Sequence, residues 1–201
     1  MPCPNLRSRL DLLHTNRHHA EETEAVAHEQ IWAPWRLEYI LSEKEVADSA
    51  ESVGLLPGAE RDCFLCRCVA AGDDRRRLVV WRGERTISIL NRYPYNNGHL
   101  LVAPQQHHAR LDQLSDEVQL ELTQDLARMV GLLEKVLRPE GFNIGLNLGR
   151  PAGAGLPGHL HWHVVPRWTG DTNFMPTIAG VHVIPQSLDA LWEALTAELA
   201  K

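Results

Sequence analysis

His159-Leu160-His161-Trp162-His163-Val164-Val165 is the stretch that decides the reading of this chain. On a β-strand alternate residues share a face, so His159, His161 and His163 project the same way, roughly 7 Å apart per step. Leu160, Trp162 and Val164 then point to the other face as core. One histidine on a strand is ordinary packing; three in strict alternation point to chemistry. Two readings follow from the residues: a metal site, because neutral imidazole is a common ligand, or phosphate chemistry. No Asp or Glu lies between Glu140 and Asp171 to complete a metal-enzyme site. The strand is instead preceded by Gly149-Arg150-Pro151-Ala152-Gly153-Ala154-Gly155, a loop whose backbone N–H groups can approach phosphate oxygens closely.

Working outward, short apolar or β-branched runs at 78–82, 85–91 and 99–104 read as strands separated by Gly and by Asn/Pro turns. Asp116–Leu137 reads as one long helix. Ser115 is its N-cap, acidic residues fill its first turn, and Leu122, Leu126, Met129, Val130, Leu133 and Leu137 form its stripe. Pro139 and Gly141 end it. Residues 142–149 and 159–166 read as two further strands, and 182–185 as a short final one. Residues 187–201 read as an amphipathic terminal helix. A helix starting near Pro34 is expected within 31–47, and 48–62 reads as a loop. The order predicts an α+β fold with a mostly antiparallel sheet, one long helix and a C-terminal helix. Residues 1–30 form a polar N-terminal extension, loose or helical, before a single domain at 31–201.

Composition excludes several classes. The chain has 201 residues, enough for one well-cored domain, and a formal charge of -6, which argues against a protein that grips nucleic acid by neutralising phosphates. No apolar run approaches membrane-spanning length, and the first thirty residues lack a signal-peptide apolar region, so a cytoplasmic protein is expected. Cys63, Cys66 and Cys68 crowd together, which suits a metal knuckle in a reducing compartment better than a disulfide framework. Cys63-Phe64-Leu65-Cys66 alone is half of a zinc site.

The motifs together resemble the histidine triad (HIT) superfamily. The triad run is joined by Asn91-Arg92-Tyr93-Pro94 and by Asn97-Gly98-His99 leading into Leu100–Pro104. Ala152–Gly155, the tail at 166–176 and the segment at 31–40 are similar to the bacterial diadenosine tetraphosphate phosphorylase-like members. The resemblance covers roughly residues 31–185. It implies a HIT-like fold and a homodimer, and an enzyme that cleaves at the α-phosphate of a nucleotide through a nucleotidyl-histidine on His161. Neutral imidazole at pH 7 is a competent nucleophile for such a two-step displacement. His163, the third triad position, would contact the bridging oxygen and could give a proton to the leaving group. His99 resembles a fourth active-site histidine. Asn91 would bond the ribose, and Asn147 the α-phosphate. Gly153, Ala154 and Gly155 would line the phosphate, and Arg150 or Arg167 would face the polyphosphate. Trp168 would stack on a base or a partner subunit, or pack in the core.

The resemblance also implies structural zinc on Cys63, Cys66, His107 and His159, with His108 an adjacent competitor and Cys68 a spare thiol. The acceptor for the second step is phosphate, giving ADP and ATP from diadenosine tetraphosphate, or water, giving AMP. Many phosphorylases and transferases of the superfamily carry Gln at the third triad position, where this chain has His163. Hydrolysis of a nucleoside phosphoramidate, a nucleotide-binding module with little turnover and a metal-dependent enzyme using all three histidines are the alternatives.

Overall fold

The computed structural model describes residues 54–172, 175, 178 and 183–201. The expected extension at 1–30 and the helix within 31–47 lie outside them. Two short helices, α1 (Phe64–Ala70) and α2 (Asp74–Arg77), lead into strands β1 (Val79–Arg82), β2 (Thr86–Leu90) and β3 (Leu100–Pro104). The long helix α3 (Asp116–Leu137) follows, then β4 (Gly141–Leu146), β5 (Trp162–Arg167) and the terminal helix α4 (Leu188–Leu199). The five strands form one sheet in the order β1-β2-β3-β5-β4, antiparallel at every pairing. This is the α+β architecture that the sequence predicts.

The long helix begins and ends where its residues dictate. The Ser115 side chain accepts from Val118 N–H, Asp116 and Glu117 sit in the first turn, and Arg138 closes the helix in the left-handed region. Its apolar stripe and α4 cover one face of the sheet. There Leu90, Leu100, Val102, Leu122, Met129, Leu133, Leu160, Val164, Leu191 and Leu195 form the main core. A buried polar clamp crosses the same layer, where the Thr86 hydroxyl donates to the Asp125 carboxylate. Trp192 Nε1–H donates to Val79 O at 2.7 Å and fastens α4 to β1.

The opposite face carries a smaller core of Cys63, Leu65, Cys66, Cys68, Val79, Ile87, Ile89, Leu101 and Ala103. Residues 63–77 hold two helices that the hydrophobic pattern does not announce. The Cys63 side chain accepts from Cys66 N–H at the start of α1. The far end of α1 is capped by Arg82, whose guanidinium donates to the oxygens of Cys68, Val69 and Ala71 and to Asp74.

Two sequence expectations need correction. Residues 183–185 form no strand. Pro185 has no N–H to give a ladder, and the chain there turns towards Ser187, whose side chain accepts from Ala190 N–H at the start of α4. The strand expected at 159–166 is regular only from Trp162. Ahead of it Leu160 N–H donates to His108 O at 2.6 Å instead of joining a ladder. Among the described residues no helix is long and apolar enough to cross a membrane.

Candidate active site

The alternation of the triad survives the late start of the strand. Leu160, Trp162 and Val164 pack with the helix-side core. The three histidines stand on the other side, where His163 lies beside Leu101 of β3. His99 immediately precedes β3 and reaches the same place after a turn in which Gly98 takes φ 80°. A Cβ at Gly98 would stand 2.5 Å from Leu137 Cδ1, so the turn tolerates no side chain.

His161 and His159 are linked through the main chain. His161 Nδ1 lies 2.8 Å from His159 O. A carbonyl oxygen only accepts, so Nδ1 carries the proton and Nε2 keeps its lone pair. The His161 ring retains 8% of its surface. Burial holds its pKa below the ordinary value, which keeps it neutral. A neutral, oriented imidazole with Nε2 bare is the form a nucleophile requires.

His163 packs edge to face against His161, ring centroids 5.1 Å apart. Its Nδ1 lies 2.9 Å from His99 Nε2. His99 is wholly buried. Burial pushes the His99 pKa down to about 3 and that of His163 to about 4, with the neighbouring imidazoles adding to both shifts. Asn91 joins this group: its Nδ2 lies 3.2 Å from His99 Nδ1, while its Oδ1 accepts Tyr93 N–H. Both ends of the amide expected to meet a ribose thus already have a protein partner.

The glycine loop lies close to Asn147. A Cβ built on Gly153 would stand 3.8 Å from Asn147 Nδ2. Within the loop Gly153 N–H donates to Arg150 O and Ala154 N–H to Gly149 O, so neither is a free phosphate donor. Gly155, exposed at the end of the turn, makes no backbone hydrogen bond among the described residues. Arg150 is exposed. Arg167 is not free for a polyphosphate: its guanidinium holds both Asp171 oxygens and Asn143 Oδ1. Trp168 Nε1–H donates to Arg138 O at the end of α3.

Cys63, Cys66, His107 and His159 converge so that one ligand atom from each lies within 4.8 Å of all the others. Cys63 Sγ and Cys66 Sγ stand 3.3 and 3.5 Å from His159 Nδ1, and Cys66 Sγ stands 3.3 Å from His107 Nδ1. Ligand atoms on a tetrahedral ion with bonds of about 2.0–2.3 Å are roughly 3.3–3.8 Å apart, so these separations fit one. Three of the four residues are buried and His107 is partly so. His159 Nε2–H donates to Pro104 O at 2.9 Å, which leaves Nδ1 bare towards the sulfurs. Glu60 stands 3.5 Å from His107 Nε2 on the outer side. A Cβ at Gly158 would come within 3.1 Å of that same nitrogen, so the chain passes His107 closely there. His108, the adjacent competitor, instead meets Gln106 Oε1. Cys68 Sγ faces Arg77 O and is outside the cluster.

Sequence reasoning missed Pro104, Glu60 and Tyr95. The first acts through a backbone oxygen and the second through a contact made across the fold, neither of which leaves a local signal. Tyr95 lies within a turn that the sequence does display. Its ring packs over both His99 and His163, with centroids at 4.7 and 5.7 Å.

Comparison with known proteins agrees with this geometry. Residues 74–170 match the HIT domain. The chain is 38% identical over 174 residues to the AP-4-A phosphorylase of Mycobacterium tuberculosis, covering 86% of this chain and 85% of that protein. It is 27% identical to the adenosine 5'-monophosphoramidase of Schizosaccharomyces pombe, over 68% of this chain and 98% of the relative. Among solved structures, a zinc-bound histidine triad family protein from Mycobacterium smegmatis superposes with a TM-score of 0.55 at 25% identity, covering 69% of this chain and 94% of that one. A triad leading into β5, a fourth histidine just before β3, the HIT-domain match and 38% identity across most of a relative's length have one reading: the chain belongs to the histidine triad family.

Proposed function

We propose that this protein is a nucleotidyltransferase of the phosphorylase type, taking the adenylyl group of diadenosine tetraphosphate onto His161 and passing it to inorganic phosphate. The observation that carries the reading is the bond from His161 Nδ1–H to His159 O, which leaves Nε2 free to attack. In the first step Nε2 bonds to the α-phosphorus, the bridging P–O bond breaks, and ATP departs with the electron pair. In the second step a phosphate oxygen displaces the imidazole, giving ADP and restoring the ring. The 38% identity to the mycobacterial phosphorylase supports this substrate and acceptor.

The surroundings have roles that match. His163 and His99 face the leaving side, and Asn91 borders the ribose. Asn147, Gly155 and Arg150 line the phosphate path, with Gly153 and Ala154 shaping the turn. Zinc is the ion that the Cys63, Cys66, His107 and His159 set fits, and when bound it supplies a cross-link between α1 and the approach to β5. The chain's own part is to place His159, whose carbonyl holds the nucleophile. His159 is on this account structural and not catalytic. Strand β4 lies at the sheet edge and exposes nearly half of Ile144, which suits a homodimer formed by pairing two sheets. Free buried thiols at Cys63 and Cys66 suit a reducing cytoplasm.

A second reading is hydrolysis to AMP, from dinucleoside polyphosphates or phosphoramidates. Histidine at the third triad position and the yeast phosphoramidase relative favour it. Incubation with diadenosine tetraphosphate, with and without phosphate, decides between the two. ADP formed only when phosphate is present is the expected result; AMP in both incubations rejects phosphorolysis. Gel filtration with light scattering tests the dimer.

A further inference from the structure

The proton positions of the His99–His163 pair follow from groups that have no choice of role. Tyr95 N–H points at His99 Nδ1 from 3.1 Å. A backbone N–H only donates. The Asn91 amide meets the same nitrogen through Nδ2, and its orientation is set because Oδ1 accepts Tyr93 N–H. Two donors on one nitrogen require that nitrogen to be bare. His99 therefore carries its proton on Nε2, which faces His163 Nδ1 at 2.9 Å. His163 Nδ1 is then an acceptor, and the His163 proton sits on Nε2.

We propose that Tyr95 and Asn91 are positioning residues that lock this pair in one tautomer, so that His163 acts as a neutral hydrogen-bond donor which keeps its proton throughout the reaction. A second proton on His163 would have to enter at Nδ1, where His99 already donates. His99 cannot reverse while two donors, and no acceptor, face its other nitrogen. The groups facing the pair are His161, just before β5, and the Tyr95 ring, and among the described residues no carboxylate contacts either imidazole. A catalytic imidazolium is normally held by a carboxylate behind it, and here an amide and a peptide N–H stand in that place. The half-exposed Tyr95 ring packs over both imidazoles, whose own planes are tilted by 43° to each other.

The inference rests on the nucleotidyl-histidine reading and narrows its substrates. When the bond to phosphorus breaks, the electron pair goes to the leaving atom while the proton stays on His163 Nε2. The site therefore suits leaving groups that depart as stable anions, such as a phosphate chain, over amines that must first be protonated.

Two measurements on the full chain test this. Ring nitrogen-15 NMR at neutral pH is expected to show both His99 and His163 bare at Nδ1 and protonated at Nε2. A proton on His163 Nδ1, alone or with one on Nε2, overturns the proposal. In kinetics, adenosine 5'-phosphate esters of substituted phenols should react more slowly as the phenol becomes more basic, with a steep slope for the wild type. Asn91→Asp, which places an acceptor behind His99 and permits a charged His163, should flatten that slope. A flat wild-type slope, or a slope unmoved in a folded Asn91→Asp variant, overturns it. If the wild type turns over none of the esters and no dinucleotide, the nucleotidyl-transfer reading fails while the spectrum still decides the tautomer.

Discussion

His161 donates its Nδ1 proton to the main-chain oxygen of His159, at 2.8 Å. The side chain of His159 faces two cysteines and the outer nitrogen of its ring is tied to Pro104 O. The residue that belongs to the Cys/His cluster is thus also the one whose carbonyl aims the imidazole of His161. Structural and chemical parts of the site meet in one peptide unit.

Replacing His161 by Ala is expected to lower turnover by at least about 10³-fold, while nucleotide affinity changes little. Stopped-flow kinetics and a binding titration check this, and mass spectrometry of the quenched wild type should find the adenylyl group on residue 161. Turnover near the wild-type level in the variant, or an adduct on another ring, rejects the assignment.

Cys66→Ser is expected to abolish tight zinc binding and to destabilise the fold by several kcal/mol, because Cys66 stands within bonding geometry of both His107 and His159. Metal analysis of the purified protein, with thermal unfolding of wild type and variant, is the check. Chelation should loosen the site gradually through folding; instant loss of turnover with an unchanged fold would mean the ion takes part in the chemistry.

Acid should destabilise the protein in a defined window. His99 and His163 take protons near 6.5 when unfolded but only near 3 and 4 when folded. Between these values the unfolded chain binds more protons, so stability falls as pH drops from about 6.5 towards 4, by at most about 1.4 kcal/mol per pH unit for each ring. Denaturant titrations at about pH 7.5, 6 and 5 measure the slope, and His99→Gln should reduce it. A wild-type stability that is level across this range contradicts the neutral, buried pair.

Arg82→Ala should cost about 2–3 kcal/mol, since one guanidinium satisfies three carbonyls at the end of α1 as well as Asp74. Arg82→Lys should recover less than half, because an ammonium cannot span the same fork. Chemical denaturation measures both. An Ala variant as stable as the wild type would show that α1 is held by its apolar contacts alone.

The elements legible in the sequence are those whose signals are local. Ser115, its acidic first turn and the stripe from Leu122 to Leu137 are enough to place the long helix. The β-branched runs before Pro104 likewise announce their strands. Helix α1 is too short for a periodic signal, and its capping group Arg82 lies more than ten residues from the carbonyls it holds. The final strand expected at 182–185 is absent over the described residues 183–185, because an apolar run is not a strand without a neighbour to pair with.

Sequence by itself determined the triad, the long helix, the sheet strands and the pair of cysteines, because alternation, capping and spacing are properties of a few consecutive residues. Only the tertiary structure decided which of the triad's nitrogens carry protons, that Arg167 is held by Asp171, and that Cys63, Cys66, His107 and His159 meet. Each of those depends on a partner brought from far along the chain. A hydrogen bond has a direction only once its donor and acceptor face each other.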